Sequence, residues 1–337
     1  MVSVLVTGGA GYIGSHTAKL LARAGFQPVV LDNLTRGHAA AVKWGPLVCG
    51  DVGDAPLIRQ IVQKHAIKAV LHFAASAYVG ESMSAPRSYF FNNVRNTLAL
   101  LDGVMDSGVK QIVFSSTCAT YGIPETVLIA EDHPQRPVNP YGESKLFVER
   151  VLHWYGQVYG LHSVVLRYFN AAGADPENEL GEEHDPEPHL IPRVIQAALG
   201  ELLEVEIYGD DYPTPDGTAI RDYIHVTDLA EAHVLALQHL LRGDRNCALN
   251  LGTGRGHSVR EVIRTVESVS GCKVNVRPKP RREGDPPMLV ARSARAAELL
   301  GWTPRRSDLE TIVRTALSWE ESRLSRPGST SKSRGLG

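Results

Sequence analysis

Tyr141 and Lys145 lie four residues apart in Tyr141-Gly142-Glu143-Ser144-Lys145, at the opening of a stretch with helical patterning. Residues at i and i+4 share a helix face, so the ammonium stands close to the phenol. A phenol with a pKa of about 10 is a poor base at neutral pH. A neighbouring cation favours the phenolate, and each unit of lowering corresponds to about 1.4 kcal/mol. Upstream, an apolar run ends in Ser115-Ser116-Thr117, where a hydroxyl can orient a substrate oxygen and relay its proton. The chemistry these residues suit is removal of a proton from an alcohol. Tyr-x-x-x-Lys alone occurs by chance on many helices; beside a strand-end hydroxyl run and the glycine turn described next, it is specific.

That turn is Thr7-Gly8-Gly9-Ala10-Gly11-Tyr12-Ile13-Gly14, directly between the first apolar run and the first amphipathic stretch. Glycines there let backbone approach a pyrophosphate, and the helix N-terminus offers free N–H groups and the positive end of its dipole. Incidental glycines in a tight turn are the bland alternative, but the strand–turn–helix setting favours a dinucleotide. Asp32 ends the second run, 18 residues beyond Gly14. Its carboxylate suits the adenosine ribose hydroxyls and repels a 2′-phosphate, which selects NAD over NADP despite nearby Arg36. Asn33 follows it. Asp51-Val52 and Phe73-Ala74-Ala75 close the third and fourth runs, the edge along which ligands bind in open α/β sheets.

These residues need a scaffold, and the first half of the chain reads as one. Val2–Thr7, Val29–Leu31, Leu47–Cys49, Ala69–Phe73, Gln111–Ser115 and Ser163–Arg167 read as strands. Gly14–Ala24, Ala55–His65, Ser88–Ser107 and Glu143–Tyr159 read as helices. Continuous β-branched runs suit strands buried on both faces. The alternation predicts right-handed crossovers and an α/β, Rossmann-type doubly wound parallel sheet. Beyond residue 170 the pattern changes. Ala171–His189, Gly209–Thr218 and Pro278–Pro287 read as loops, of the kind that form binding walls. Helices are expected at Leu190–Glu201, Leu229–Arg242, Val259–Ser270, Ala294–Leu300 and Leu309–Glu321. We expect a cofactor domain over 1–170, with 219–255 returning to it, and a smaller mixed α/β substrate domain over 171–320. Ser322–Gly337, nearly without apolar residues, reads as a disordered tail.

With 337 residues, 43% hydrophobic, 21% charged and a formal charge of −2, the chain has an ordinary globular composition. Its near-neutral balance argues against nucleic acid or an anionic membrane as the main partner. No apolar run reaches the ~18 residues of a membrane span. The start leads straight into Val2-Ser3-Val4-Leu5-Val6, without the basic region of a signal peptide. Four scattered cysteines make neither a disulfide framework nor a zinc site, and the expected setting is a reducing cytoplasm. Cys118 reads as packing. His184-Asp185 and His189 fit no usual ligand spacing, so no metal is expected.

The constellation resembles the extended short-chain dehydrogenase/reductase superfamily and, within it, the UDP-glucose (UDP-galactose) 4-epimerase family, over residues 1 to 320. The glycine turn, Leu31-Asp32-Asn33-Leu34, Tyr78-Val79-Gly80-Glu81-Ser82, Ser115–Gly122, Asn139–Lys145 and Arg167-Tyr168-Phe169-Asn170 carry the likeness. Arg221–Val226 and Arg281–Asp285 complete it. The resemblance implies Tyr141 as base, Lys145 on the nicotinamide ribose, and Thr117 as proton relay where Ser is commoner. It implies cofactor contacts from Gly8, Gly11, Tyr12, Ile13, Gly14, Asn92 and Phe169, and UDP contacts from Asn170, Arg221, Arg282 and Asp285. Two planar guanidinium forks facing two phosphates make physical sense. Two departures stand out: Ala77 where many members carry Lys, and Leu289 at a position that shapes the sugar pocket.

The implied reaction interconverts UDP-galactose and UDP-glucose through a 4-keto sugar with NAD retained. UDP-pentose or UDP-N-acetylhexosamine substrates stay open. A 4,6-dehydratase needs an acid–base pair after Thr117, where Cys118-Ala119 stand instead. A silent NAD-sensing protein is the alternative from another class. The resemblance also implies a homodimer, joined through Ser88–Ser107 and Glu143–Tyr159.

Overall fold

Runs of four or five consecutive buried residues, such as Ser3–Thr7, form strands covered on both faces, as a parallel sheet between helix layers requires. The structure, a computed structural model, describes residues 1–282 and 284–325. Its strands are β1 Ser3–Thr7, β2 Gln27–Asp32, β3 Leu47–Cys49, β4 Ile67–His72, β5 Gln111–Thr117, β6 Leu128–Ile129 and β7 His162–Tyr168. There follow β8 Asn170–Ala172, β9 Val205–Tyr208, β10 Ile220–His225, β11 Cys247–Leu251, β12 Gly256–Ser258, β13 Val276–Lys279 and β14 Met288–Ala291.

Seven strands form the main sheet in the order β11-β7-β5-β4-β1-β2-β3, every pairing parallel. Alternate residues serve opposite faces. Val4, Val6 and Val30 pack with Leu21 and Leu237 of helices Tyr12–Arg23 and Val226–Leu241. Leu5, Val29 and Leu31 pack with Ile58, Leu100 and Leu152 of helices Ala55–His65, Asn96–Asp106 and Pro140–Tyr159. This is the doubly wound α/β architecture expected. Between β4 and β1 the strand order reverses direction, and ligands of such sheets bind outside the carboxyl ends at that point.

The remaining elements make a smaller layer. A second sheet runs β12-β10-β14-β6 with β8 on β10, and β9 pairs with β13. Helices Leu190–Ala198, Val259–Ser270 and Leu309–Leu324 close around Ile191, Val194, Val262, Val266 and Ile312.

Several expectations need correction. Ala171–Ala172 in β8 and Pro278–Lys279 in β13, read as loop, are extended and paired. Two to four residues show too little alternation to announce a strand. The stretch over Ser88–Ser107 is interrupted: a π-turn at Phe90–Arg95 precedes helix Asn96–Asp106. The last helix continues to Leu324, so Ser322–Leu324 belong to it and not to a tail. Residues 326–337 of that expected tail lie outside the described residues.

Candidate active site

Asn139 accepts a hydrogen bond from the Gly142 N–H through Oδ1 (2.8 Å), and Pro140 sits in the first turn. Cap and proline start the helix so that Tyr141 stands in its first turn. β5 delivers Thr117 at its carboxyl end, and the Thr117 hydroxyl is near enough to the Tyr141 phenol to favour the phenolate. Lys145, one turn on, donates from Nζ to the Ser115 main-chain oxygen at 2.9 Å and lies 4.8 Å from the Phe114 ring centroid. Thr117, Tyr141 and Lys145 are all buried.

The electrostatics differ from the expectation. Burial pushes the Tyr141 phenol well above its ordinary range, with Tyr168 adding to the rise; the Thr117 hydroxyl works against it. Burial likewise lowers the Lys145 ammonium to about 7, with Glu149 opposing. The protein by itself therefore keeps the phenol protonated. A dry site disfavours both charges, and the phenolate needs positive charge beyond what the chain provides.

Glu149 is one more turn along and was not singled out by sequence. Its carboxylate takes a short bond from Ser116 Oγ (2.5 Å) and a two-pronged pair from Arg167 (Nε 3.1 Å, Nη2 2.6 Å). Arg167 also donates to the Tyr121 hydroxyl (2.9 Å), which donates to Asn250 Oδ1 (2.7 Å). This buried network fixes β5 and β7 against the helix that bears the phenol. The 141–145–149 spacing, one helix face, was the available signal. Asn93 was missed too: it bridges Ser76 (Nδ2 to O, 2.9 Å; N to Oδ1, 2.8 Å) and Ser144 Oγ (3.0 Å). Tyr168 meets Ser115 Oγ at 2.8 Å.

At the β1 turn, Gly14 is required by packing: a Cβ there would lie 2.3 Å from Gly8 O. Gly8, at φ +71, would crowd Ala74 N at 2.6 Å, so β1 and β4 approach closely here. Gly11 caps the helix without a side chain, and its first turn, with Tyr12, Ile13 and Gly14, carries no acidic residue. N–H groups of a first turn have no intrahelical acceptors, so an anion site is left open. Asp32 accepts from Ala10 N (3.0 Å) and Leu34 N (2.9 Å), and a carboxylate has capacity for more donors. Arg36 pairs with Glu81 (2.9 Å) and stacks on Tyr78, so it is engaged away from a 2′-phosphate. Asp51 bonds Asn33 Nδ2 (2.9 Å), Gly53 N (2.7 Å) and Asn96 Nδ2 (3.0 Å). These residues fit NAD. Val52 is buried in the core; Phe73 stacks against His233 at 4.7 Å; Ala75 is half-buried. Asn92 reaches Ser76 Oγ (3.3 Å), and Phe169 packs with Cys118 and Tyr121.

On the substrate side, Arg221 and Asp285 are brought together as an ion pair. Asn170 opens β8 beside Tyr223 of β10. Arg282 is exposed and stacks over Tyr208 at 3.9 Å. Arg221 favours the Cys118 thiolate electrostatically, though burial dominates and pushes that thiol up to about 12, which makes it inert. Arg221 is thus near Cys118, the residue after Thr117, while Ala77 is exposed and Leu289 packs near Phe169.

Residues 4–252 match the family model described as the NAD dependent epimerase/dehydratase family. The UDP-glucose 4-epimerase of Halalkalibacterium halodurans is 51% identical over 320 residues, 95% of this chain and 96% of that one. The Brucella ovis UDP-glucose 4-epimerase, solved with NAD, is 56% identical with a TM-score of 0.92, over 94% of this chain and 98% of that one. A Stenotrophomonas maltophila relative, solved with NAD and formylated UDP-arabinopyranose, is 43% identical with a TM-score of 0.93, over 96% and 98%. With a glycine turn after β1, an aspartate ending β2, and Thr117, Tyr141 and Lys145 near the carboxyl end of β5, this chain belongs to the NAD dependent epimerase/dehydratase family, among its UDP-glucose 4-epimerases.

Proposed function

We infer that the chain is an isomerase that interconverts UDP-galactose and UDP-glucose. The observation that carries this reading is the Thr117 hydroxyl set beside the Tyr141 phenol at the carboxyl end of β5, two strands from the glycine turn after β1. NAD, when bound, supplies the acceptor for a hydride from sugar C4 and a positive charge that helps the phenol ionise. Tyr141 takes the proton of the 4-hydroxyl while Thr117 holds that oxygen and passes the proton on. Lys145 orients β5 through Ser115 and binds ribose. The resulting 4-keto sugar is tethered through its UDP to Asn170, Arg221, Arg282 and Asp285, and turns over about its bond to the diphosphate. Once the turned sugar presents its other face to the cofactor, where hydride would be returned, Tyr141 gives the proton back to the 4-oxygen. Strong remote contacts with loose sugar contacts suit such a turn.

In this reading residues 1–170, with 219–255, hold NAD through the glycine turn, Asp32, Asn33, Asp51, Asn92 and Phe169, and residues 171–320 hold the UDP-sugar. Two copies pair through the helices over 88–107 and 143–159, which expose Phe90, Phe91, Phe147, Trp154 and Val158. Four free cysteines suit a reducing, cytoplasmic setting. Among the described residues no helix is long and apolar enough to cross a membrane. Leu289 neither hydrogen-bonds a sugar nor firmly excludes an N-acetyl group, so a UDP-pentose or UDP-N-acetylhexosamine is the second reading. Incubation with UDP-galactose, UDP-GlcNAc and UDP-arabinose, with products separated chromatographically, distinguishes them. Stoichiometric NADH release from UDP-glucose overturns the epimerase reading.

A further inference from the structure

The loop after β8 carries Glu182, His184, Glu187 and His189, which the fold gathers although their spacing in sequence suggested no metal. Their ligand atoms all lie within 4.8 Å of one another. Glu182 Oε1 is 3.2 Å from His184 Nδ1 and 2.6 Å from His189 Nδ1; Glu187 is 3.5 Å from His184 Nδ1 and 3.1 Å from His189 Nδ1. Metal–ligand bonds of about 2.0–2.2 Å set tetrahedral edges of roughly 3.3–3.6 Å, and three of the four separations lie near that value. The 2.6 Å contact is tighter, a pair that an ion would spread.

Glu182 is more than nine-tenths buried, and its Oε1 and the buried His184 Nδ1 make no well-directed hydrogen bond, only the ion-pair contacts just given. Both imidazole Nδ1 atoms and both carboxylates aim at one small space. Two carboxylates packed this closely need two positive charges. Two imidazolium protons or one divalent ion can meet that need. His189 Nδ1 has a directed hydrogen bond to Glu187 Oε1 at 3.1 Å, but Glu182 Oε1 and His184 Nδ1 face one another without one. That favours the ion, because an imidazolium N–H would be aimed along a hydrogen bond.

We propose that Glu182, His184, Glu187 and His189 form a divalent-cation site, with Zn²⁺ the ion best matched to a two-imidazole, two-carboxylate set. Its place gives it a task. Tyr12 of the glycine turn has its ring edge-on to His184 at 6.4 Å and donates to Gly173 O at 2.5 Å. Trp319 of the last helix donates to Glu182 O at 3.2 Å. The ion fastens this loop onto the cofactor turn and slows NAD release, without entering the chemistry. His189 is half-exposed and provides the way in.

The test is metal analysis of untagged holoenzyme from zinc-supplemented cells, followed by chelator dialysis and calorimetric titration with Zn²⁺. The expected result is one tightly held Zn²⁺ per chain, absent from His184→Gln and His189→Gln, with several-fold faster NAD release from the metal-free wild type. Wild-type protein that neither retains nor binds Zn²⁺, with both rings seen as imidazolium by NMR at about pH 8, overturns the proposal. So does Zn²⁺ binding unchanged in the His184→Gln/His189→Gln double variant. Wild-type metal content decides the matter even if a variant fails to fold.

Discussion

The ammonium of Lys145 donates to the Ser115 main-chain oxygen at 2.9 Å, tying the helix that carries the phenol to the strand that carries Thr117. The lysine is thus as much a brace as a charge. The phenol it helps place is kept protonated by burial in the chain alone, and in the proposed scheme bound NAD would supply the charge that helps it ionise.

Tyr141→Phe should lower kcat by about 10²–10⁴-fold, the usual contribution of a positioned acid–base group, while NAD stays bound. Thr117→Ser should keep most activity and Thr117→Val should lose much of it, since the hydroxyl is the part of the side chain that favours the phenolate. Steady-state kinetics with cofactor content measured on each variant checks both. Full activity in Tyr141→Phe would remove the base from the scheme.

Glu149→Gln should destabilise the fold by about 3–5 kcal/mol, because it leaves the Arg167 guanidinium buried without its partner. The double variant Glu149→Leu/Arg167→Met should recover part of that loss, since no buried charge is left unpaired. Urea denaturation reads the difference. Equal destabilisation by single and double variants would show that packing, not charge, governs this site.

Arg221→Met should raise KM for the UDP-sugar by about 10–100-fold, the loss of a charge-assisted hydrogen bond, with NAD content unchanged. A drop in kcat alone would place this arginine elsewhere.

Acid should unfold the protein earlier than its carboxylates alone would. Burial, the main cause in each case, lowers His72 to about 3 and His16, His225 and His233 to about 4. Below about pH 6.5 the unfolded chain takes up these protons and the folded chain does not, so stability falls with pH until about 4. Each such histidine steepens the fall by about 1.4 kcal/mol per pH unit. Melting curves between about pH 7 and 4.5 test this, and His72→Gln should flatten the slope. A melting temperature constant over that range would contradict it.

The first half of the chain was readable because long buried strands and amphipathic helices imprint their period on local sequence. The glycine turn, Asp32, Thr117, Tyr141 and Lys145 were readable because each sits at a fixed place in one βα unit, where spacing along the chain equals position in space. Short strands such as β8, β12 and β14 left no such imprint. Contacts that cross the fold were silent as well: Glu149 with Arg167, Arg221 with Asp285, and Glu182 with His189 join residues whose separation follows from packing. Tertiary structure also decided the protonation of Tyr141 and Lys145. A pKa responds to desolvation, and how dry a group becomes depends on everything that folds around it.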